Sequence, residues 1–280
     1  MRSRLTKTIA VVTIALGALL MLPSGAEAAF PDGGAPPNSM AALGDSITQA
    51  FNACGWYYNC SSESWSTGTS SGINSHYLRI QQVNPAIAGH NNNDSVTGAK
   101  AVDLNSQAQN AVSQKVQYVT ILIGANDACT SSEATMTSVA TYRAQINAAM
   151  STLKAGLPSA RVFVSSVPDV KRLWEINRYN GAALYAWDTF GICQSMLANA
   201  TSDSSADAAR RDRVQQRVRD FNGQLAAACS AYGSTCRYDG GAVFNYRFVP
   251  SQVSGWDYFH PSKSGQTALA SVTYAAGFGW

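Results

Sequence analysis

Apolar positions fall into two rhythms along this 280-residue chain. Tyr118-Val119-Thr120-Ile121-Leu122-Ile123 is apolar on both faces and ends at Gly124, which is how a buried parallel strand reads. Arg161 to Val167, stopped by Pro168, predicts a second strand. Met40-Ala41-Ala42-Leu43 predicts a third, short and turned at once. Ala86 to Gly89 and Thr235 to Tyr238 are weaker strand signals. Between them the rhythm becomes helical. Leu104 to Val116 is one such stretch. Met136 to Leu157 carries Val139, Ile146, Met150 and Leu153 on one stripe, with Gly156 and Pro158 as stops. Ala206 to Tyr232 is a long helical stretch, and Ser262 to Tyr274, with Pro261 near its first turn, is the last. Strands alternating with helices predict βαβ units and a mainly parallel sheet covered on both faces.

The first segment stands apart from this pattern. Arg2, Arg4 and Lys7 precede an apolar stretch, Thr8 to Leu22, that is shorter than the roughly 20 residues a bilayer span needs. Ala26-Glu27-Ala28 is a small-x-small cleavage signature, so residues 1–28 read as a signal peptide and the chain as secreted. The alternative is an uncleaved anchor. Residues 29–280 then suit a single domain, with Asp32 to Asn38 as a short leader and Ser202 to Asp207 as a polar loop. Nothing later is apolar for long enough to insert stably in a membrane.

Charge narrows the partners. The net charge is only +3. Its one basic run, Arg210-Arg211-Asp212-Arg213 with Arg217 and Arg219, alternates with Val214, Val218 and Phe221 and reads as a solvated helix face. It lacks the aromatic interleaving of a nucleic-acid patch, so no nucleic-acid partner is expected, and the chain is expected to be a monomer. Six cysteines in a chain with an export signal imply disulfides. Cys54 with Cys60, and Cys229 with Cys236, can close local loops, which leaves Cys129 with Cys193. With no C-x-x-C pair and three scattered histidines, no metal site and no cofactor are expected.

The candidate chemistry sits where strands end. Gly44-Asp45-Ser46 follows the first strand, and its turn exposes Ser46 as a nucleophile whose own N–H can face the oxyanion it creates. Read alone, Asp45 and Ser46 are as well explained as a helix cap. Gly124-Ala125-Asn126-Asp127 closes the best strand, and the Asn126 amide can donate to an oxyanion; the plainer reading is an Asx turn. Gly98 can offer a backbone N–H to the same oxyanion, unobstructed by a side chain. His260 is the natural base, and Asp257, three positions earlier, can hold its tautomer as the third member of a triad. The alternative makes Asp257 a turn residue and gives the orienting role to a backbone carbonyl. Gly68-Thr69-Ser70-Ser71-Gly72 fits the G-x-S-x-G elbow, but the polar lead-in Ser61 to Thr67 offers no strand, so Ser70 reads as a loop residue.

Gly44-Asp45-Ser46, Gly98, Gly124-x-Asn126-Asp127 and Asp257-x-x-His260 together resemble, in order, the four blocks of the SGNH or GDSL hydrolases. The resemblance implies a flavodoxin-like three-layer α/β/α fold with a mainly parallel sheet of about five strands. It also implies a Ser46, Gly98 and Asn126 oxyanion hole and no metal. Trp65-Ser66-Thr67-Gly68, Val96 to Leu104 and Gly124 to Cys129 further resemble the phospholipase B branch, whose greater length and membrane tail are missing here. The expected substrate is a lipid acyl ester of lipase or phospholipase type, with Trp56, Tyr57, Tyr58, Trp174, Trp187 and Phe190 as candidates for an apolar acyl groove or, alternatively, as core and disulfide-flanking packing. The rivals are a carbohydrate acetylesterase or small-ester esterase, and a secreted surface- or carbohydrate-binding module without activity. Intact Ser46, Asn126 and His260 weigh against the last.

Overall fold

The computed structural model describes residues 34–280; the expected signal peptide and the start of the leader lie outside the described residues. Five strands form one sheet: β1 Met40–Gly44, β2 Asn91–Asn93, β3 Tyr118–Leu122, β4 Arg161–Val164 and β5 Cys236–Tyr238. Their order is β2-β1-β3-β4-β5 and every pairing is parallel, which is the flavodoxin-like arrangement. β1 and β3 are buried along their whole length, as continuous apolar runs demand. The register sets Leu43 beside Ile121 and Ile121 beside Val164, so the central strands end together at one edge.

Right-handed crossovers decide the layers. The chain leaves β1 outward to β2, then crosses back to β3, β4 and β5. Helices Leu104–Gln114, Val139–Gly156 and Ser205–Tyr232 therefore share one face, where they pack side by side. Helix His76–Val83 covers the other face and is joined there by Lys263–Ala275, with His76 Nε2 2.7 Å from Thr273 Oγ1. Capping sets the helix starts. The central helix begins at Val139 rather than Met136 because Ser138 accepts the Thr141 N–H and fixes the first turn there.

Three expectations need correction. Ala86 to Gly89 is not a strand: Pro85–Ile87 is a 3-10 turn, and the edge strand is the polar triplet that follows. That strand is only half-buried, so its sequence carries no apolar signal, and Asn91 and Asn93 instead donate to the carbonyls of Thr67 and Thr48. Two helices, Val170–Asn177 and Gly181–Thr189, occupy a region for which no element was expected. The basic run is not simply solvated. Val214, Val218 and Phe221 do face the core, but Arg211 is also buried and its guanidinium lies 4.2 Å over Trp174. Arg213 pairs with Glu133, and Arg217 donates to the Thr137 carbonyl. No helix among the described residues is long and apolar enough to cross a membrane.

Three disulfides staple the chain: Cys54–Cys60, Cys129–Cys193 and Cys229–Cys236. Cys129–Cys193 ties the turn after β3 to the start of the short helix Gln194–Leu197, where Ser195 also donates to the Ala128 carbonyl at 2.7 Å.

Candidate active site

β1 delivers Gly44 to the sheet edge with φ +150, and a Cβ there would sit 2.3 Å from the Leu122 carbonyl oxygen. Only glycine lets the two central strands close so tightly before the turn. Gln107, from the helix behind, accepts the Gly44 N–H at 2.7 Å and donates to the Gly44 carbonyl at 2.9 Å, clamping the strand end. The chain then makes one helical turn, with Thr48 and Gln49 donating backbone N–H groups to the Asp45 carbonyl. Asp45 Oδ1 accepts the Ile47 N–H at 2.9 Å, so the capping role holds, but the turn does not expose Ser46 as expected: the residue is only 4% exposed, packed at the sheet edge beside His260.

The structure brings the two ends of the chain together. His260 Nε2 lies 2.7 Å from Ser46 Oγ, across 214 positions of sequence. His260 Nδ1 lies 2.6 Å from Asp257 Oδ2. A carboxylate there can only accept, so Nδ1 carries the proton and Nε2 is free to take one from Ser46. Burial pushes the Asp257 carboxyl up, but the His260 hydrogen bond and charge, with the His260 and Phe259 N–H groups, outweigh it and hold it below its ordinary value. The carboxylate therefore stays ionised beside the ring. The ring itself is flanked by Phe51 and Phe259, with centroids 5.0 and 5.1 Å away. His76 differs: it is fully buried between Tyr118 and Thr273, and burial, helped by the Arg79 charge, lowers it to about 3.

The loop carrying Gly98 lies against the Ser46 turn. Val96 N–H donates to the Gly44 carbonyl at 3.1 Å. Asn126 Nδ2 donates to the Ala99 carbonyl at 3.0 Å, which leaves its second N–H uncommitted. Asp127 accepts the Ala101 N–H and the Thr137 hydroxyl, fixing both loops. Gly98 has φ +84 with open space where a side chain would stand. Among the described residues neither Ser46 N–H nor Gly98 N–H has an acceptor. Preorganised donors without partners are what an oxyanion site requires. Ser70 sits in a loop with neither a strand before it nor a helix directly after it.

The aromatic residues do not form the expected groove, and two of them follow the alternative reading as core. Trp174 and Trp187 are core, and Trp56, Tyr57, Tyr58 and Phe190 are exposed. None of the six lines the apolar pocket beside the Ser46 turn. That pocket is formed by Ile47, Val170, Leu173, Ile176, Phe248 and Phe259, with Ala125 and Pro261 at the positions next to Asn126 and His260. Sequence reasoning also passed over Asn52, Gln107 and Gln266. Gln266, on helix Lys263–Ala275, donates to the Ile47 carbonyl and accepts the Trp65 N–H, joining the helix that follows His260 to the Ser46 turn. No motif or period marks these residues. Their roles exist only in contacts between distant segments.

A five-stranded parallel sheet with a serine, an imidazole and free N–H groups at its carboxyl edge defines a hydrolase of the acyl-transfer class. The chain belongs to the GDSL-like lipase/acylhydrolase family, whose model matches residues 40–272. Among curated proteins, none matches this chain. Among solved structures, a catalytic mutant of an acetylxylan esterase from Geobacillus stearothermophilus is 17% identical, covering 86% of this chain and 94% of that one, with a TM-score of 0.52. Phospholipase A1 from Streptomyces albidoflavus is 19% identical, over 85% of this chain and 99% of that one, with a TM-score of 0.47. An extracellular lipase from Streptomyces rimosus is 18% identical over the same shares, with a TM-score of 0.45. At these identities the first of the three speaks for the fold.

Proposed function

We propose that this GDSL-family esterase cleaves carboxylic esters of lipids through an acyl-enzyme on Ser46. His260 Nε2 takes the hydroxyl proton as Ser46 Oγ bonds the acyl carbon, and the carbonyl electrons move onto oxygen. Ser46 N–H, Gly98 N–H and Asn126 Nδ2 hold that oxyanion. The C–O bond breaks, the leaving alkoxide takes the proton back from His260, and water repeats the sequence to free the acid. Asp257 orients His260 and stabilises the imidazolium. The export signature and the three disulfides support an extracellular site of action.

The observation that carries the lipid reading is the apolar pocket lined in part by Ile47 and Phe259, the chain neighbours of Ser46 and His260. A pocket of that lining receives a hydrocarbon chain, since each buried methylene contributes about 0.8 kcal/mol. A carbohydrate-ester reading rests on a different feature, the exposed rings of Trp56, Phe190 and Trp256, whose flat faces suit a sugar. A panel of p-nitrophenyl esters from acetate to palmitate, run beside phospholipids and acetylated xylan, separates the two. The lipid reading expects kcat/KM to rise with chain length beyond acetate; a maximum at acetate with release from xylan overturns it. Ser46→Ala should abolish turnover and fluorophosphonate labelling with the fold intact, whereas Ser70→Ala should not. Loss with Ser70→Ala instead would remove Ser46 from the mechanism.

A further inference from the structure

We propose that Asn52 is a positioning residue, which registers the Asp257–His260 pair against the turn that carries Ser46. The inference rests on the hydrolytic reading above and deepens it. Asn52 Nδ2 donates to Asp257 Oδ2 at 2.6 Å, the same oxygen that accepts from His260 Nδ1. The other oxygen, Oδ1, accepts the Phe259 and His260 N–H groups at 2.9 and 3.0 Å. Those donors belong to the segment that bears the base and move with it. Among the described residues, Asn52 is the one donor to this carboxylate from the nucleophile's side of the chain. Without it, the acid and base could shift together relative to Ser46 while keeping their mutual bonds.

The asparagine is itself held. It is 2% exposed, and its φ of +59 lies in the left-handed region that asparagine tolerates better than most residues. Its Oδ1 accepts the Tyr57 N–H at 2.6 Å, so Nδ2 must be the atom that faces Asp257. Its backbone N–H donates to the Tyr58 carbonyl, and its carbonyl accepts the Ser254 hydroxyl. Tyr57 and Tyr58 lie inside the loop closed by Cys54–Cys60. The disulfide loop thus aims the amide, the amide fixes the carboxylate, and the carboxylate fixes the ring. Catalytic groups need such support because a displacement of about 1 Å can cost roughly a hundredfold in rate.

Two variants test this in the full-length protein. Asn52→Gly keeps the left-handed backbone and removes the amide. Asn52→Asp keeps the shape and the Tyr57 contact but sets a carboxylate against Asp257. Two readouts are used: kcat and KM per titrated active site, and the downfield proton resonance of the His260–Asp257 hydrogen bond. We expect kcat to fall about tenfold or more with KM within about twofold, because placement rather than binding is lost. The downfield resonance should move or vanish in both variants, and the ascending limb of the pH profile should move to higher pH in Asn52→Asp. A kcat within about twofold of wild type and an unmoved resonance overturn the proposal. Where the two readouts disagree, the resonance decides. Should Asn52→Gly fail to fold, Asn52→Asp carries the test. An active Ser46→Ala control would instead reject the hydrolytic reading, and the resonance would still report on Asn52.

Discussion

Asp45 stands next to Ser46, yet its Oδ2 is buried with no hydrogen-bond partner among the described residues. Burial pushes this carboxyl from its ordinary 3.8 up to about 7, outweighing the Ile47 N–H and the His260 charge that favour ionisation. The folded chain therefore keeps a proton that the unfolded chain has released between about pH 4 and 7. The stability this contributes is present below the unfolded value and is lost as pH rises through the folded one. Asp45→Asn, which cannot ionise, should lose that dependence. Its stability relative to wild type should improve from pH 4.5 to pH 7.5, by an amount on the order of a few kcal/mol. Urea titrations at the two pH values measure the difference, and parallel behaviour of the two proteins would contradict it. Asp257 carries the opposite shift and the opposite expectation. It is the one partner of His260 Nδ1, and no backbone carbonyl meets the ring among the described residues. Asp257→Asn should therefore cut kcat by more than about tenfold, or 1.4 kcal/mol of barrier. A smaller loss at neutral pH would leave a Ser46–His260 dyad.

Helix Val170–Asn177 contributes Val170, Leu173 and Ile176 to the apolar pocket. Filling it tests what it is for. Leu173→Trp should lower kcat/KM for an octanoate ester at least about tenfold, since each methylene shut out forfeits about 0.8 kcal/mol. The acetate ester should change by less than about twofold, and equal losses on both would exclude a role in chain recognition. This pocket-lining helix is also one that the sequence pattern does not mark. β1, β3 and β4 are legible because both their faces are covered, so nearly every position is apolar. β2 is not, because an edge strand of asparagines satisfies itself through side-chain bonds to loops. The same division runs through the site. Ser46, Gly98, Asn126 and His260 sit in compact blocks because each must end a strand or open a turn. Asn52, Gln107 and Gln266 act at a distance of many residues and leave no local trace. The arginine run misleads for a related reason: alternation with valine fixes which side faces the core, but not that Arg211 is roofed by Trp174.

The longest of the three closures, Cys129–Cys193, spans 64 positions and joins the turn after β3 to the start of helix Gln194–Leu197. In the chain-entropy view a loop of that length contributes about 4 kcal/mol, against about 2 kcal/mol for a closure as short as Cys229–Cys236. Replacing each pair by serines should order the denaturation midpoints accordingly, and an equal loss from both would refute the entropic account. Helix Lys263–Ala275 docks through Gln266 onto the Ile47 carbonyl, and that docking carries His260 to Ser46. With Ser46 as nucleophile and His260 as base, the first reactive group leaves the ribosome long before the second. A chain interrupted anywhere between them owns a harmless hydroxyl. A chain finished but unfolded owns a hydroxyl and an imidazole that rarely meet. On the proposed assignment, chemical competence waits until the segment bearing His260 has closed onto the Ser46 turn.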